Sequence, residues 1–227
     1  TQDIPQGRKI ERLLRGTKYM YYQPDYRRKP NEKTWLLVCV HGGNLDVDAM
    51  FETCVDTGRK LQVAVLAPYF DYSNFAEYGD LNIRGDRADR RLLEIIEHLG
   101  TKTDINTRQF YLYGNGEGAE FIQRFAYAYP ERVARAVILY TDQGRLVELN
   151  TQVFFPQGLK TNPFAPDLKF NFDTILPIDM VFLKGALDTT RGTPIDRYLE
   201  KIKSLSNQYG IKNRVRQVLA NDWAQIS

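Results

Sequence analysis

Histidine occurs only twice in the 227-residue chain, at His41 and His98. That scarcity bounds acid–base chemistry at once, because histidine is the side chain whose ordinary pKa lies nearest neutrality. Cysteine is as rare, with Cys39 and Cys54 alone. Cys39 lies in an apolar run and Cys54 in the helical pattern that follows. The pair reads as two buried free thiols, with a strand–helix disulfide as the alternative. No apolar run approaches the roughly 20 residues of a membrane-crossing helix, so no span is expected. No linker rich in Gly, Ser or Pro divides the chain, which reads as one domain. Charge of one sign is not gathered anywhere. The net charge is +3, with Lys and Arg scattered among acids, so no nucleic-acid partner is expected. Neither a cofactor nor a metal site is expected. The sequence starts at Thr1 rather than Met, which leans toward a processed, secreted or periplasmic chain.

What is present alternates. Residues 1–16 are polar, with Ile10, Leu13 and Leu14 as one apolar group, and read as an arm ending in a helical turn. Residues 17–227 read as the single domain. Thr17–Tyr22 is rich in β-formers and suits an edge strand. Trp35–Val40 is continuously apolar, as a central strand covered on both faces should be. Asp46 caps a helix carrying Met50, Phe51, Cys54 and Val55. Leu61–Pro68 is another buried strand. Tyr69–Asp86 is a long aromatic loop, of a length that usually lines a site. Helical spacing of Ala88, Leu92, Ile95, Ile96 and Leu99 predicts a helix over 86–99. Further strands are predicted at 110–113, 133–140, 180–183 and 215–219, and helices after Gly118 and over 194–209. Residues 143–178 have no sustained period and read as an irregular insertion. The alternation predicts an α/β fold: a mostly parallel central sheet flanked by helices. Ligands in such sheets bind at the carboxyl ends of the strands, where His41, Gly114, Asp142 and Asp188 fall.

The centre of the pattern is Tyr111-Leu112-Tyr113-Gly114-Asn115-Gly116-Glu117-Gly118. Strand, Gly-x-x-x-Gly turn and helix form the layout of a nucleophile elbow, G-x-S-x-G. The outer glycines are in register, but Gly116 stands where serine should be. His41-Gly42-Gly43 follows the earlier strand, Tyr129-Pro130-Glu131-Arg132-Val133 follows the elbow helix, and Gly185-Ala186-Leu187-Asp188 follows a late strand. In this order the motifs resemble the α/β-hydrolase family, in particular its esterase and depolymerase-like members, over about residues 17–223.

The resemblance implies α/β-hydrolase strand order and a catalytically degenerate site. Ser-His-Asp catalysis needs a nucleophile, a base and an orienting acid. The resemblance places Gly116 at the nucleophile, Trp223 near the base and Asp188 at the acid. It also implies oxyanion-hole-like donors at Gly43 or Asn44 and at the Glu117 backbone N–H. The resulting expectation is a catalytically inactive protein with a binding or structural role. A small carbonyl or anionic ligand fits the donors. A protein partner or oligomer would dock through the arm, the 69–83 loop or the insertion aromatics Phe154, Phe155, Phe164, Phe170 and Phe172. One alternative is a serine esterase or hydrolase whose nucleophile is replaced at Gly116, or whose base is supplied otherwise. A second is a dinucleotide-binding protein using Gly114, Gly116 and Ala119 in a G-x-G-x-x-A turn, with Asp142 on the ribose. Glu117 and Glu120 oppose it by placing negative charge where phosphates would lie.

Overall fold

A computed structural model describes residues 7–25, 32–139, 145–184 and 193–219. The described chain forms an eight-stranded sheet in the order β1-β2-β4-β3-β5-β6-β7-β8. The strands are β1 (Lys9–Leu14), β2 (Thr17–Tyr22), β3 (Leu36–Val40), β4 (Ala64–Pro68), β5 (Phe110–Asn115), β6 (Val133–Leu139), β7 (Asp179–Lys184) and β8 (Arg214–Leu219). β1 and β2 join antiparallel, and every pairing from β3 to β8 is parallel.

Period-two alternation assigns the two faces of the sheet. Val38, Val40, Leu66, Leu112, Ala136, Ile138, Met180 and Phe182 point into the larger core. There they meet α2 (Ala88–Gly100), α3 (Glu117–Ala128) and α5 (Pro194–Tyr209). Cys39, Val65 and Ala67 point to the other face, against α1 (Val47–Leu61). β3 connects to β4 on one side and β5 lies on its other side, so the chain reverses its direction of growth at β3. Right-handed crossovers then put α1 and the later helices on opposite faces. The short helix α4 (Phe172–Ile175) interrupts the insertion, which is otherwise irregular from 145 to 178.

Three expectations need correction. The arm does not end in a helical turn: residues 9–14 form β1. Arg15 and Gly16 both take positive φ, 47° and 80°, and close a two-residue hairpin onto β2. This is the turn whose twist suits paired strands. The alternation of Lys9, Glu11 and Leu13 with Ile10, Arg12 and Leu14 is too polar to reveal a strand that buries little. Consequently Thr17–Tyr22 is an inner strand, paired with β1 and β4. Burial of Tyr19 and Tyr21 fits that position. The third correction concerns the cysteines, which are not free thiols. Cys39 of β3 and Cys54 of α1 form a disulfide across a Cα–Cα distance of 6.7 Å. Residue spacing could not reveal it, because which helix turn faces β3 depends on how α1 docks.

The bond closes a 15-residue separation. In the chain-entropy account, a loop of that size contributes about 3 kcal/mol by restricting the unfolded chain. Replacing both cysteines with alanine should therefore lower the unfolding free energy by about 2–4 kcal/mol. Urea denaturation measures this. An unchanged midpoint would deny the bond a stabilising role.

Candidate functional site

The site forms where β3 and β5 end side by side. Val40 pairs with Gly114, so the turns that leave these strands start level. β5 runs through Asn115 into Gly116, which takes φ 51° and ψ −123° as the N-cap of α3. The three glycines answer different demands. A Cβ on Gly114 would lie 2.4 Å from the Gly118 carbonyl oxygen, and one on Gly118 would lie 2.2 Å from that of Val40. These two allow backbone to approach backbone. Gly116 has room, since a Cβ there would meet only Gly42 Cα at 3.8 Å. Its demand is conformational, since a positive φ with this ψ is strained for any residue with a side chain.

His41 is wholly buried. Phe70 N–H donates to its Nε2 at 3.1 Å, so the ring proton sits on Nδ1, which faces the Gly42 carbonyl at 2.9 Å. Burial pushes its pKa down, which keeps the ring neutral. Tyr78 Oη donates to the His41 carbonyl at 3.0 Å. With both nitrogens bound to backbone, His41 holds the loop in shape. His98 is half-buried in the last turn of α2, ahead of the loop that leads into the start of β5. It is therefore at the opposite end of β5 from Gly116.

The oxyanion-type donors are brought together as a loop and a helix start. The backbone N–H groups of Gly43, Asn44 and Glu117 have no partner among the described residues. The first N–H groups of a helix are free in this way by construction, and they carry partial positive charge. Of the three, Asn44 alone lines a cleft of about 150 Å³ on the α1 side, together with Gly42, Asp46, Thr53, Tyr113 and Asn115 among others. Asn115 Oδ1 is buried without a partner beside Gly42.

The charge of the Glu117 side chain was foreseen, but its contacts were not. Tyr72 Oη stands 2.8 Å from Glu117 Oε2 and 3.0 Å from the Gly43 carbonyl oxygen. Burial, the largest influence, pushes the Glu117 pKa up. About two turns along α3, the fully buried Arg124 meets Asp80 Oδ1 at 3.1 Å, in charge contact but out of line for a hydrogen bond. Arg145 bridges Asp80 at 3.4 Å and Glu120 at 3.1 Å.

The insertion aromatics divide. Phe155 is buried and stacks on Phe170 at 4.6 Å, and Phe172 packs on Tyr209 at 5.3 Å. Phe154 and Phe164 are 45% and 62% exposed. Lys160 lies over the first ring and Arg84 over the second. Phe155 therefore serves the core rather than a surface. Glu117 and Glu120 occupy the first turn of α3, where the G-x-G-x-x-A reading would seat phosphates. Asp142, Asp188 and Trp223 lie outside the described residues.

No family model matches the chain, and no curated protein matches it. Solved structures do. Poly(aspartic acid) hydrolase-1 from Sphingomonas sp. KT-1 superposes with a TM-score of 0.76 at 20% identity, covering 95% of this chain and 92% of that one. A poly(3-hydroxybutyrate) depolymerase from Bordetella parapertussis gives 0.72 at 15% identity, covering 95% and 84%. S-formylglutathione hydrolase from Staphylococcus aureus gives 0.57 at 11%, covering 100% and 96%. The chain has the α/β-hydrolase fold. In that fold the elbow between strand and helix carries the nucleophile, and here it carries Gly116.

The two kinds of glycine separate experimentally. Gly116→Ala should cost about 1–3 kcal/mol, the ordinary cost of such backbone strain, and leave the protein folded. Gly118→Ala should cost more, because its Cβ would press on the Val40 carbonyl at 2.2 Å. Urea unfolding of both variants checks the order. Equal losses would contradict the division.

Proposed function

We propose that this chain binds a carbonyl compound or a carboxylate on an α/β-hydrolase scaffold and does not carry out serine-type acyl transfer. The observation that carries the reading is the pairing of unpartnered N–H donors at Gly43, Asn44 and Glu117 with an elbow residue that has no side chain. Donors aimed at an oxyanion still attract a carbonyl oxygen or an anion. Acyl transfer needs an oxygen or sulfur nucleophile and a base beside it. Gly116 supplies neither, His41 is bound to backbone through both ring nitrogens, and His98 lies in the last turn of α2 at the other end of β5. The similar structures include a hydrolase of poly(aspartic acid) and a depolymerase of poly(3-hydroxybutyrate). Both substrates are rich in carbonyl groups, which supports a ligand of that class here.

A second reading is a serine-type hydrolase in which glycine replaces the nucleophile, or in which the base comes from another source. Two observations favour it. Gly116 keeps the positive-φ turn with open space above it, and the similar structures are hydrolases, a depolymerase and esterases. The exposed rings of Phe154 and Phe164 support a further role in docking a partner. The Cys39–Cys54 bond supports an oxidising compartment, where such bonds persist.

One pair of proteins discriminates the first two readings. Wild type and Gly116→Ser are assayed with p-nitrophenyl acetate and butyrate, alongside a fluorophosphonate probe. The binding reading expects no turnover above a boiled control from either protein. Turnover with stoichiometric labelling of the serine variant would establish that only the nucleophile is missing. Turnover by wild type would overturn the binding reading outright.

A further inference from the structure

Tyr72 stands between two oxygens. Its hydroxyl is 3.0 Å from the Gly43 carbonyl oxygen and 2.8 Å from Glu117 Oε2. A phenol carries one proton and cannot donate it to both. Both contacts are hydrogen bonds when a second proton sits on Glu117. The carboxyl O–H then donates to the Tyr72 oxygen, and Tyr72 O–H donates to Gly43. Without that proton the ionised carboxylate, the stronger acceptor, takes the Tyr72 proton. The Gly43 carbonyl then loses this donor.

The neighbours of Glu117 come from five elements. The loop after β4 brings Tyr72. The single 3-10 turn Tyr78–Asp80 brings the Gly79 N–H, which reaches the carboxyl, and Tyr78, held neutral by burial. The same turn carries Asp80, which pairs with Arg124 and Arg145. α3 itself adds Glu120, a like charge. The segment entering the insertion adds the Arg145 guanidinium, which is largely exposed. The loop after β3 adds Gly43, and His41 two residues before it is neutral. Burial and Glu120 favour the proton, while Tyr72, Gly79 and Arg145 oppose it, and the balance is upward.

We propose that Glu117 holds a proton in the resting protein, and that Glu117, Tyr72 and Gly43 form a proton-operated latch on the 42–44 loop that makes carboxylate binding there proton-coupled. The ligand half of this rests on the binding reading above; the latch does not. With the proton in place, Tyr72 ties the loop and the Glu117 side chain adds no negative charge beside the free N–H groups. Once the proton leaves, the tie moves to Glu117, and its charge opposes an incoming anion. A neutral amide of the same shape meets no such opposition. The latch also sets a direction for stability. A carboxyl whose pKa is raised in the folded state is protonated in both states below about pH 4.3, and its contribution is intact there. That contribution is lost as pH rises through the raised folded value.

The test is an NMR titration from about pH 4 to 9 of wild type, Tyr72→Phe and Glu117→Gln, following glutamate carboxyl carbons and the Asn44 amide. Asn44 N–H belongs to the same peptide group as the Gly43 carbonyl and reports on the tie. In wild type, one glutamate should titrate late and the Asn44 amide should move with the same midpoint. Glu117→Gln, whose amide mimics the protonated acid, should abolish both transitions. Tyr72→Phe should keep the late carboxyl transition and uncouple Asn44 from it. Acetate and acetamide serve as probes in the same samples. Above the midpoint, acetate affinity should fall about tenfold per pH unit in wild type and stay level in Glu117→Gln. Acetamide affinity should not change with pH in either. An Asn44 amide that does not move in wild type, or that moves unchanged in Glu117→Gln, overturns the latch. An absence of acetate shifts at every pH overturns the binding reading, while the Asn44 response still decides the latch.

Discussion

The structure depends on how closely the start of α3 approaches the end of β3. Gly118 lies so near the carbonyls of Val40 and His41 that a methyl group would stand 2.2 Å and 2.5 Å from them. This approach brings the 42–44 loop and the N-terminus of α3 together, and so makes one donor array from two elements far apart in sequence. Gly114 performs the same service within the elbow, beneath Gly118 and Ile122. His41 and Tyr78 then fix the loop from behind. Loosening this contact would scatter the free N–H groups that the site consists of. The strict need at 114 and 118 is for missing side chains, whereas the need at 116 is for a permitted backbone conformation.

A second constraint ties the insertion to this centre. Arg124 is buried on α3, facing Asp80 from the aromatic loop and the Pro156 carbonyl from the insertion. Arg145, at the start of the described insertion, bridges Asp80 and Glu120, and its N–H donates to Glu120. Gln123 accepts from Val147 N–H beside them. A buried pair of this kind is weak evidence for stability, because desolvation offsets much of the attraction. Breaking it by removing one partner is costly, since the other charge stays behind unpaired. The network therefore acts chiefly on position: it sets the 69–86 loop, the elbow helix and the insertion in one arrangement.

Much of this was legible in the sequence. Continuous apolar runs located β3, β4, β5 and β6, because a strand covered on both faces needs them. The glycine spacing located the elbow, because each glycine there answers a local backbone demand. Other features depend on groups remote in sequence. β1 escaped notice because an edge strand buries little and its polar residues disguise the alternation. The disulfide escaped because Cys39 and Cys54 meet through the docking of α1. Glu117 was legible as a backbone donor and as a negative charge at the helix start, but not as a partner of Tyr72. Its partners, Tyr72 and Gly79, come from a loop whose path no periodicity encodes.

The elbow also changes meaning once its central side chain is gone. A serine at position 116 would have to bear positive φ, and the protein would carry that strain for the sake of a poised oxygen. Glycine relieves the strain and leaves the turn in place, because Gly114 and Gly118 hold it from either side. The ionisable group at the turn is then not at 116 but next to it. The Glu117 backbone N–H has no partner among the described residues, while its side chain turns back toward Tyr72 and the 42–44 loop. One residue thus presents a donor to the ligand side and an ionisable acid to the loop side. Charge on the second must alter what the first can hold, since only the length of one side chain separates them. On the binding reading proposed above, the scaffold would keep its donor array without the nucleophile, and the proposed latch would rest control on a single proton.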